Sequence, residues 1–373
     1  MKRRPPVLRT VTINGELPER QPGLIQKTAT GSDSTLFAMH VIRTDITAPA
    51  GAALAHHTKG GFRNPYNQES RGFRDFLRWQ LGRGPDEMPV VPDSRIPPYV
   101  PRAVTPDLEK IHDPDASAIQ VTWIGHSTFL IQLRGINILT DPVFSERCSP
   151  FSFLGPKRAA PPGIAINQLP EIDLVLLSHD HYDHLDDKTI RRLGDKPRYV
   201  VPIGLKAWLT RRDIRDVEEL DWWQTTPFAG LQLQCVPAQH FSGRGPFGRN
   251  KTLWCGWVIQ ADQTKLHFVG DTGYAPYFQE IARRVGPIDV AFIPIGAYRP
   301  RWFMGPMHVD PSEAVKIHRE LGARRSIGMH WGTFQLSDEP MGAPRVELRQ
   351  ALEAAGIADD VFITMEFGET RIY

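Results

Sequence analysis

Cysteine is scarce, long apolar runs are missing, and neither sign of charge dominates. Three cysteines, Cys148, Cys235 and Cys255, stand among 373 residues. They are odd in number and share no short spacing. That excludes a disulfide framework and a zinc knuckle, and predicts reduced thiols in a reducing compartment. No apolar stretch approaches the roughly 18–20 residues that a membrane-spanning helix needs. The opening residues, Met1 to Pro6, carry the charges of a signal peptide with no apolar stretch behind them. A cytoplasmic protein is the expectation. Net charge is +2, from 44 Lys+Arg and 42 Asp+Glu, too balanced to predict a nucleic-acid partner. The 31 glycines follow no three-residue period, which excludes collagen, and a hydrophobic share of 41% excludes wholesale disorder.

The front of the chain differs from the rest. Residues 1–110 hold 16 Lys/Arg against 11 Asp/Glu, whereas the remainder holds 28 against 31. Pro-rich stretches at Arg3–Val7 and Pro89–Pro106 flank polar segments of little periodicity, as expected of an arm laid over another domain. Within it, Phe73, Phe76, Leu77 and Leu81 recur at helical spacing with Arg71, Arg74 and Arg78 between them. That spacing predicts a short basic amphipathic helix over 71–81, docked on the main domain or touching an anionic membrane surface through its Arg, Phe and Trp79 side chains. The expected division is an arm over 1–110 and a main domain over 111–373.

From about residue 117, short β-rich runs bounded by turns take over: 119–124, 128–133, 136–140, 174–177, 199–202, 231–236, 253–259, 266–269, 290–293, 326–329 and 362–367. Helical patterns fall at 188–193, 277–285, 311–321 and 345–355. Helices separate only some strands, which predicts an α/β fold with mixed sheets.

The chemistry concentrates after the run at 174–177. His179, Asp180, His181, Tyr182, Asp183 and His184 put three imidazoles and two carboxylates in six residues, at a strand end where such groups converge on a cation. Two of the histidines can grip one metal while Asp183 and His184 serve a second. Further partners at later strand ends are His240, Asp271 in Gly270–Gly273, and His330 in Gly328–Gly332, each hemmed by small residues that permit tight turns.

In this order the pattern resembles the metallo-β-lactamase superfamily over about residues 118–373. The resemblance implies an αββα four-layer sandwich, two mixed sheets flanked by helices, here with an N-terminal extension. It implies that His179, His181 and His240 hold one metal and Asp183, His184 and His330 the other, with Asp271 bridging. Imidazole and carboxylate donors without thiolate suit two zinc ions and do not exclude iron or manganese. Trp123–Thr128, Leu139–Phe144, Gly296–Met304, His308–Pro311 and Asn64–Tyr66 are similar to the branch containing N-acylphosphatidylethanolamine-hydrolysing phospholipase D, which also includes sugar-lactone hydrolases. Met307 departs from that pattern, where a polar residue is expected, and the arm matches only in patches.

The implied reaction is hydroxide attack on a phosphodiester between two cations, releasing N-acylethanolamine and leaving phosphatidic acid. Asp271 would hold the bridging geometry. His308 would stabilise negative charge or protonate the leaving oxygen, unless it only caps the helix that begins near Asp310. His126, Tyr182, Arg299, Arg301, Trp302, Phe303 and Met304 are candidate substrate contacts; His126 reads equally as a turn residue, and 302–304 as a buried plug. The expected partner is a phospholipid at a membrane surface, met from the cytoplasmic side by a protein peripheral to it, and the count of copies stays open between monomer and homodimer. Two other readings stand beside this one: a hydrolase of a small polar lactone, ester or phosphate, and a metal-binding scaffold without catalysis.

Overall fold

The computed structural model describes residues 55–66, 71–85, 87, 89, 91–245 and 247–373. The Pro-rich stretch at 3–7 lies outside them. Strands β1 (His57–Thr58) and β2 (Gly61–Phe62) make a small hairpin ahead of two seven-stranded sheets. The first sheet takes β3 (Ile119–Gly125), β4 (Thr128–Leu133), β5 (Ile136–Thr140), β6 (Leu174–Leu176), β7 (Arg198–Pro202) and β8 (Val217–Leu220). The second takes β9 (Thr225–Phe228), β10 (Leu231–Val236), β11 (Gly256–Ala261), β12 (Thr264–Phe268), β13 (Val290–Pro294), β14 (Arg325–Met329) and β15 (Phe362–Thr364). The last strand, β16 (Thr370–Ile372), returns to the first sheet and pairs with β3.

Each sheet changes character halfway. Strands β3 to β5 pair antiparallel and β5 to β8 parallel; β9 to β12 pair antiparallel and β12 to β15 parallel. The mixed sheets expected from the sequence are therefore present, and the parallel halves are where strand ends align to carry a site.

Alternation decides which side chain faces which layer. On β4, Phe129, Ile131 and Leu133 enter the core between the sheets, while Leu130 faces a second core beneath α3 (Asp187–Leu193) and α4 (Lys206–Thr210). Helices α5 (Tyr277–Val285), α7 (Pro311–Glu320) and α8 (Ala343–Ala355) cover the other sheet through Ile281, Ile317 and Leu348. The result is four layers, α/β/β/α. In the inter-sheet core Trp123 lies between Phe367, 4.7 Å away, and Trp331, 5.5 Å away, both rings near parallel to it.

Among the described residues three further α-helices remain. The expected basic helix is α1 (Phe73–Gln80), and α2 (Leu108–His112) and α6 (Arg301–Met304) are short turns that periodicity did not reveal. Residues of the expected arm pack on the sheets: Tyr99 donates to the Gly332 carbonyl at 2.9 Å, and the His56 and His57 rings clamp the two oxygens of Asp221 at 2.6 and 2.7 Å. All three cysteines are buried and free. Among the described residues no helix is long and apolar enough to cross a membrane.

Candidate metal centre

Loops at the ends of β3, β6, β10, β12 and β14 converge between the sheets. His179, His181, Asp183 and His184 occupy the turn between β6 and α3, and His240, Asp271 and His330 follow β10, β12 and β14. Two glycines make the approach feasible. Gly270, at φ 68°, precedes Asp271, and any side chain there would strike the Cys255 carbonyl, just as one at Gly296 would strike the His330 carbonyl.

The donors form two groups. His179 Nε2 lies 2.8 Å from His181 Nδ1, which lies 3.2 Å from His240 Nε2. In the mixed group, Asp183 Oδ2 lies 3.5 Å from His184 Nε2 and 3.3 Å from His330 Nε2. Asp271 Oδ2 stands between them, 3.2 Å from His184, 3.1 Å from His330 and 3.7 Å from His240. All seven expected ligands are thus brought together.

The opposite ring nitrogens are fixed from behind. Asp141 Oδ2 accepts from His184 Nδ1 at 2.7 Å, and Asp141 also takes both the amide and the hydroxyl of Ser178. Ser178 Oγ lies 2.9 Å from His179 Nδ1, and the Met307 carbonyl accepts from His240 Nδ1 at 2.8 Å. Such outer partners orient imidazoles toward a cation. Met307, the departure from the family pattern, acts here through its backbone.

Burial pushes the His179 ring well below its ordinary value, helped by the His184 charge, and takes His181 down to about 3 and His240 to about 4. In the mixed group burial again opposes charge but is outweighed. Asp271 and Asp183 hold His184 well above its usual range and His330 up at about 9. In return the His184 charge keeps both carboxyls well below theirs.

The residues fit a metal. Buried His184 Nε2, His330 Nε2 and Asp271 Oδ1 make no hydrogen bond, a costly condition for polar atoms unless something else binds them. A tetrahedral site with bonds of about 2.0–2.1 Å has donor–donor edges of about 3.3 Å, and the separations in the mixed group cluster around that length.

The centre forms the floor of a cavity of about 510 Å³. His181, Asp183, Asp271, His308 and His330 lie at its base, and Phe73, Phe76, Phe241, Phe303, Met304, Met307 and Leu336 form apolar walls. His308 is no helix cap, because the Asp310 side chain caps α7 by accepting from the Glu313 amide. Its Nδ1 is buried, lies 4.0 Å from Asp271 Oδ2 and has no hydrogen-bond partner. Burial pushes its ring well below the ordinary value.

Of the expected substrate contacts, Phe303 and Met304 face the cavity and the rest do not line it. Arg299 is held by Asp93 and the buried Glu347. Arg301 is held by Glu313 and the His308 carbonyl. Trp302 lies under Arg78, with the Arg78 guanidinium 5.2 Å from its ring. Tyr182 packs beneath Arg244, 4.1 Å away, in a neighbouring hollow. His126 stands behind Asp183. In their place the structure offers Phe241, whose ring lies 4.4 Å from His181, and Arg249, whose guanidinium lies 4.8 Å from the Phe241 ring. Arg249 lines the cavity and pairs with no carboxylate among the described residues. Neither residue has a pattern in sequence that would single it out.

Fold and donor set together define a metal-dependent hydrolase. A model of the β-lactamase superfamily domain matches residues 136–331. The chain is 40% identical over 273 residues to N-acyl-phosphatidylethanolamine-hydrolyzing phospholipase D 1 of Caenorhabditis elegans, covering 68% of this chain and 75% of that one. It is 30% identical over 259 residues to a UPF0173 metal-dependent hydrolase of Methanopyrus kandleri, covering 68% and 99%. The solved structure of Igni18, a metallo hydrolase from Ignicoccus hospitalis, shares the fold with a TM-score of 0.54 at 24% identity, covering 69% and 98%. The chain belongs to the β-lactamase superfamily.

Proposed function

We propose that the protein is a dinuclear zinc phosphodiesterase of phospholipase D type that hydrolyses N-acylphosphatidylethanolamine to N-acylethanolamine and phosphatidic acid at a membrane surface. The observation that carries this reading is the cavity: metal donors at its floor, apolar walls that suit acyl chains, and an uncommitted arginine for an anionic headgroup. Similarity to the nematode phospholipase supports it.

His179, His181 and His240 would hold one cation, Asp183, His184 and His330 the other, and Asp271 both. When bound, two such cations supply Lewis acidity and a water acidic enough to ionise near neutral pH. The chain's own residues do the rest. Arg249 meets the phosphodiester's negative charge, and Phe73, Phe76, Phe303 and Met304 receive the acyl chains and keep water from them. A bond forms from the attacking oxygen to phosphorus, and the ethanolamine oxygen departs with its electron pair. His308, whose unpartnered Nδ1 lies 4.0 Å from Asp271 Oδ2, is placed to donate a hydrogen bond to the departing oxygen and steady its negative charge, while solvent water supplies the proton.

The test is product analysis on vesicles containing N-acylphosphatidylethanolamine, beside soluble lactones and esters. Release of N-acylethanolamine, with a raised KM in Arg249→Ala, is expected. Turnover of soluble substrates with no release from vesicles would overturn the lipid reading in favour of a small polar substrate.

A further inference from the structure

His126 does not line the cavity, yet it makes more directed contacts to the centre than any expected substrate residue. It occupies the turn between β3 and β4 at φ 56°, in the left-handed region, and is 2% exposed. Few side chains adopt that conformation unless the surroundings enforce it. Here they do. The His126 amide donates to Thr333 Oγ1 at 2.7 Å, and its carbonyl accepts from Trp123 Nε1 at 3.0 Å. The same carbonyl accepts from the His330 amide at 3.2 Å. Its ring Nε2 lies 3.0 Å from Asp183 Oδ2, and the ring packs 4.1 Å from that of His330.

These contacts are selective. One residue holds the carboxylate of Asp183 by its side chain and the peptide of His330 by its backbone. Both belong to the mixed group, one on a loop of the first sheet and one at a strand end of the second. No contact of His126 reaches His179, His181 or His240. A carboxylate that accepts a hydrogen bond on the oxygen it offers to a cation is fixed in rotation. A strand end tied to the turn opposite cannot drift across the cleft.

We infer that His126 is the positioning residue of the mixed subsite: it sets Asp183 and His330 at the spacing a second cation requires and leaves the three-histidine subsite unaffected. This rests on the two-cation reading proposed above.

The experiment measures metal binding rather than turnover. His126→Gly removes the side chain while suiting the left-handed backbone, and His126→Gln restores an N–H donor of similar reach. Circular dichroism and thermal unfolding check that each variant folds. Cation content after dialysis is read by elemental analysis, and the affinities of the two subsites by competition with a chelator. The expected result is two cations in the unaltered chain. In His126→Gly one subsite should be unchanged and the other weakened roughly 10–100-fold, with His126→Gln recovering most of the loss. Two cations of unaltered affinity in a folded His126→Gly protein, or equal weakening of both subsites, would overturn the inference alone. A single cation in the unaltered chain would remove the two-cation reading and the inference with it.

Discussion

His179, His181 and His240 stand within a few ångströms of Asp183, His184 and His330, with Asp271 between them, yet burial acts on the two sets with opposite outcomes. In the first, imidazoles crowd one another and lose their protons, so three neutral donors are ready before any cation arrives. In the second, carboxylates compensate the same burial, and His184 and His330 keep their protons near neutrality. On the two-cation reading proposed above, a cation entering the first group would displace nothing, and one entering the second would replace the protons of His184 and His330 beside the carboxylates. Two donor groups a few ångströms apart, one all imidazole and one with a carboxylate of its own, would therefore differ in what they cost to load.

The most severe way to break this contrast is to remove the oxygen that touches both groups. Asp271→Asn should lower kcat by more than about 100-fold, beyond the range typical of outer partners, and loosen both cations in a metal titration. Activity within tenfold of the parent would show that the groups work independently. A one-sided perturbation comes next. Asp141→Ala frees His184 Nδ1 directly and reaches His179 only through Ser178, and should weaken the mixed subsite by about 10–100-fold and the three-histidine subsite less. Weakening of the three-histidine subsite to the same degree would erase the distinction.

Protons sharpen it further. His330 is raised to about 9, above an unfolded value of about 6.5. In the metal-free chain its contacts with Asp271 and Asp183 therefore stabilise the fold fully below about pH 6.5 and are lost as pH rises through about 9. Loading needs the neutral ring. Calorimetry at pH 7 in buffers of different ionisation enthalpy should thus show protons released on filling the mixed subsite, and affinity there should fall as pH is lowered from 9 toward 6. The three-histidine subsite should hold its affinity over that window. Equal pH slopes would contradict the assignment. The smallest effect is expected from Ser178→Ala, whose hydroxyl touches Asp141 on one side and His179 on the other. Metal affinity should fall less than about tenfold at each subsite, because Asp141 still holds His184.

The donors were legible in the sequence because histidine and aspartate at strand ends have little other reason to cluster. Apolar strands of the sheet interiors were legible for a similar reason: Thr128–Leu133, Ile136–Thr140 and Leu231–Val236 have the bounds their patterns suggest. Edge strands were not. Thr225–Phe228 buries only Thr226 and contains Pro227, and Thr370–Ile372 is a short, largely exposed edge, so neither shows an apolar alternation in its sequence. Arginines were the least legible. Arg299 and Arg301 sit in a motif that marks the branch, but Asp93, Glu347 and Glu313 occupy their guanidinium groups. Arg249 sits in no motif and faces the cavity uncommitted. Whether a carboxylate stands beside an arginine is a fact of the fold, carried here by residues up to 206 positions apart.

The buried thiols give the centre one further property. Cys255 lies behind Ser178, 3.6 Å from its carbonyl, and burial pushes the thiols of Cys255 and Cys148 well above their usual range. Thiols so protonated and enclosed resist peroxide and electrophiles. Since every donor at the centre is nitrogen or oxygen, no ligand there climbs the sulfur oxidation ladder. The donor set is built to outlast a swing in redox state that would disarm a thiolate ligand.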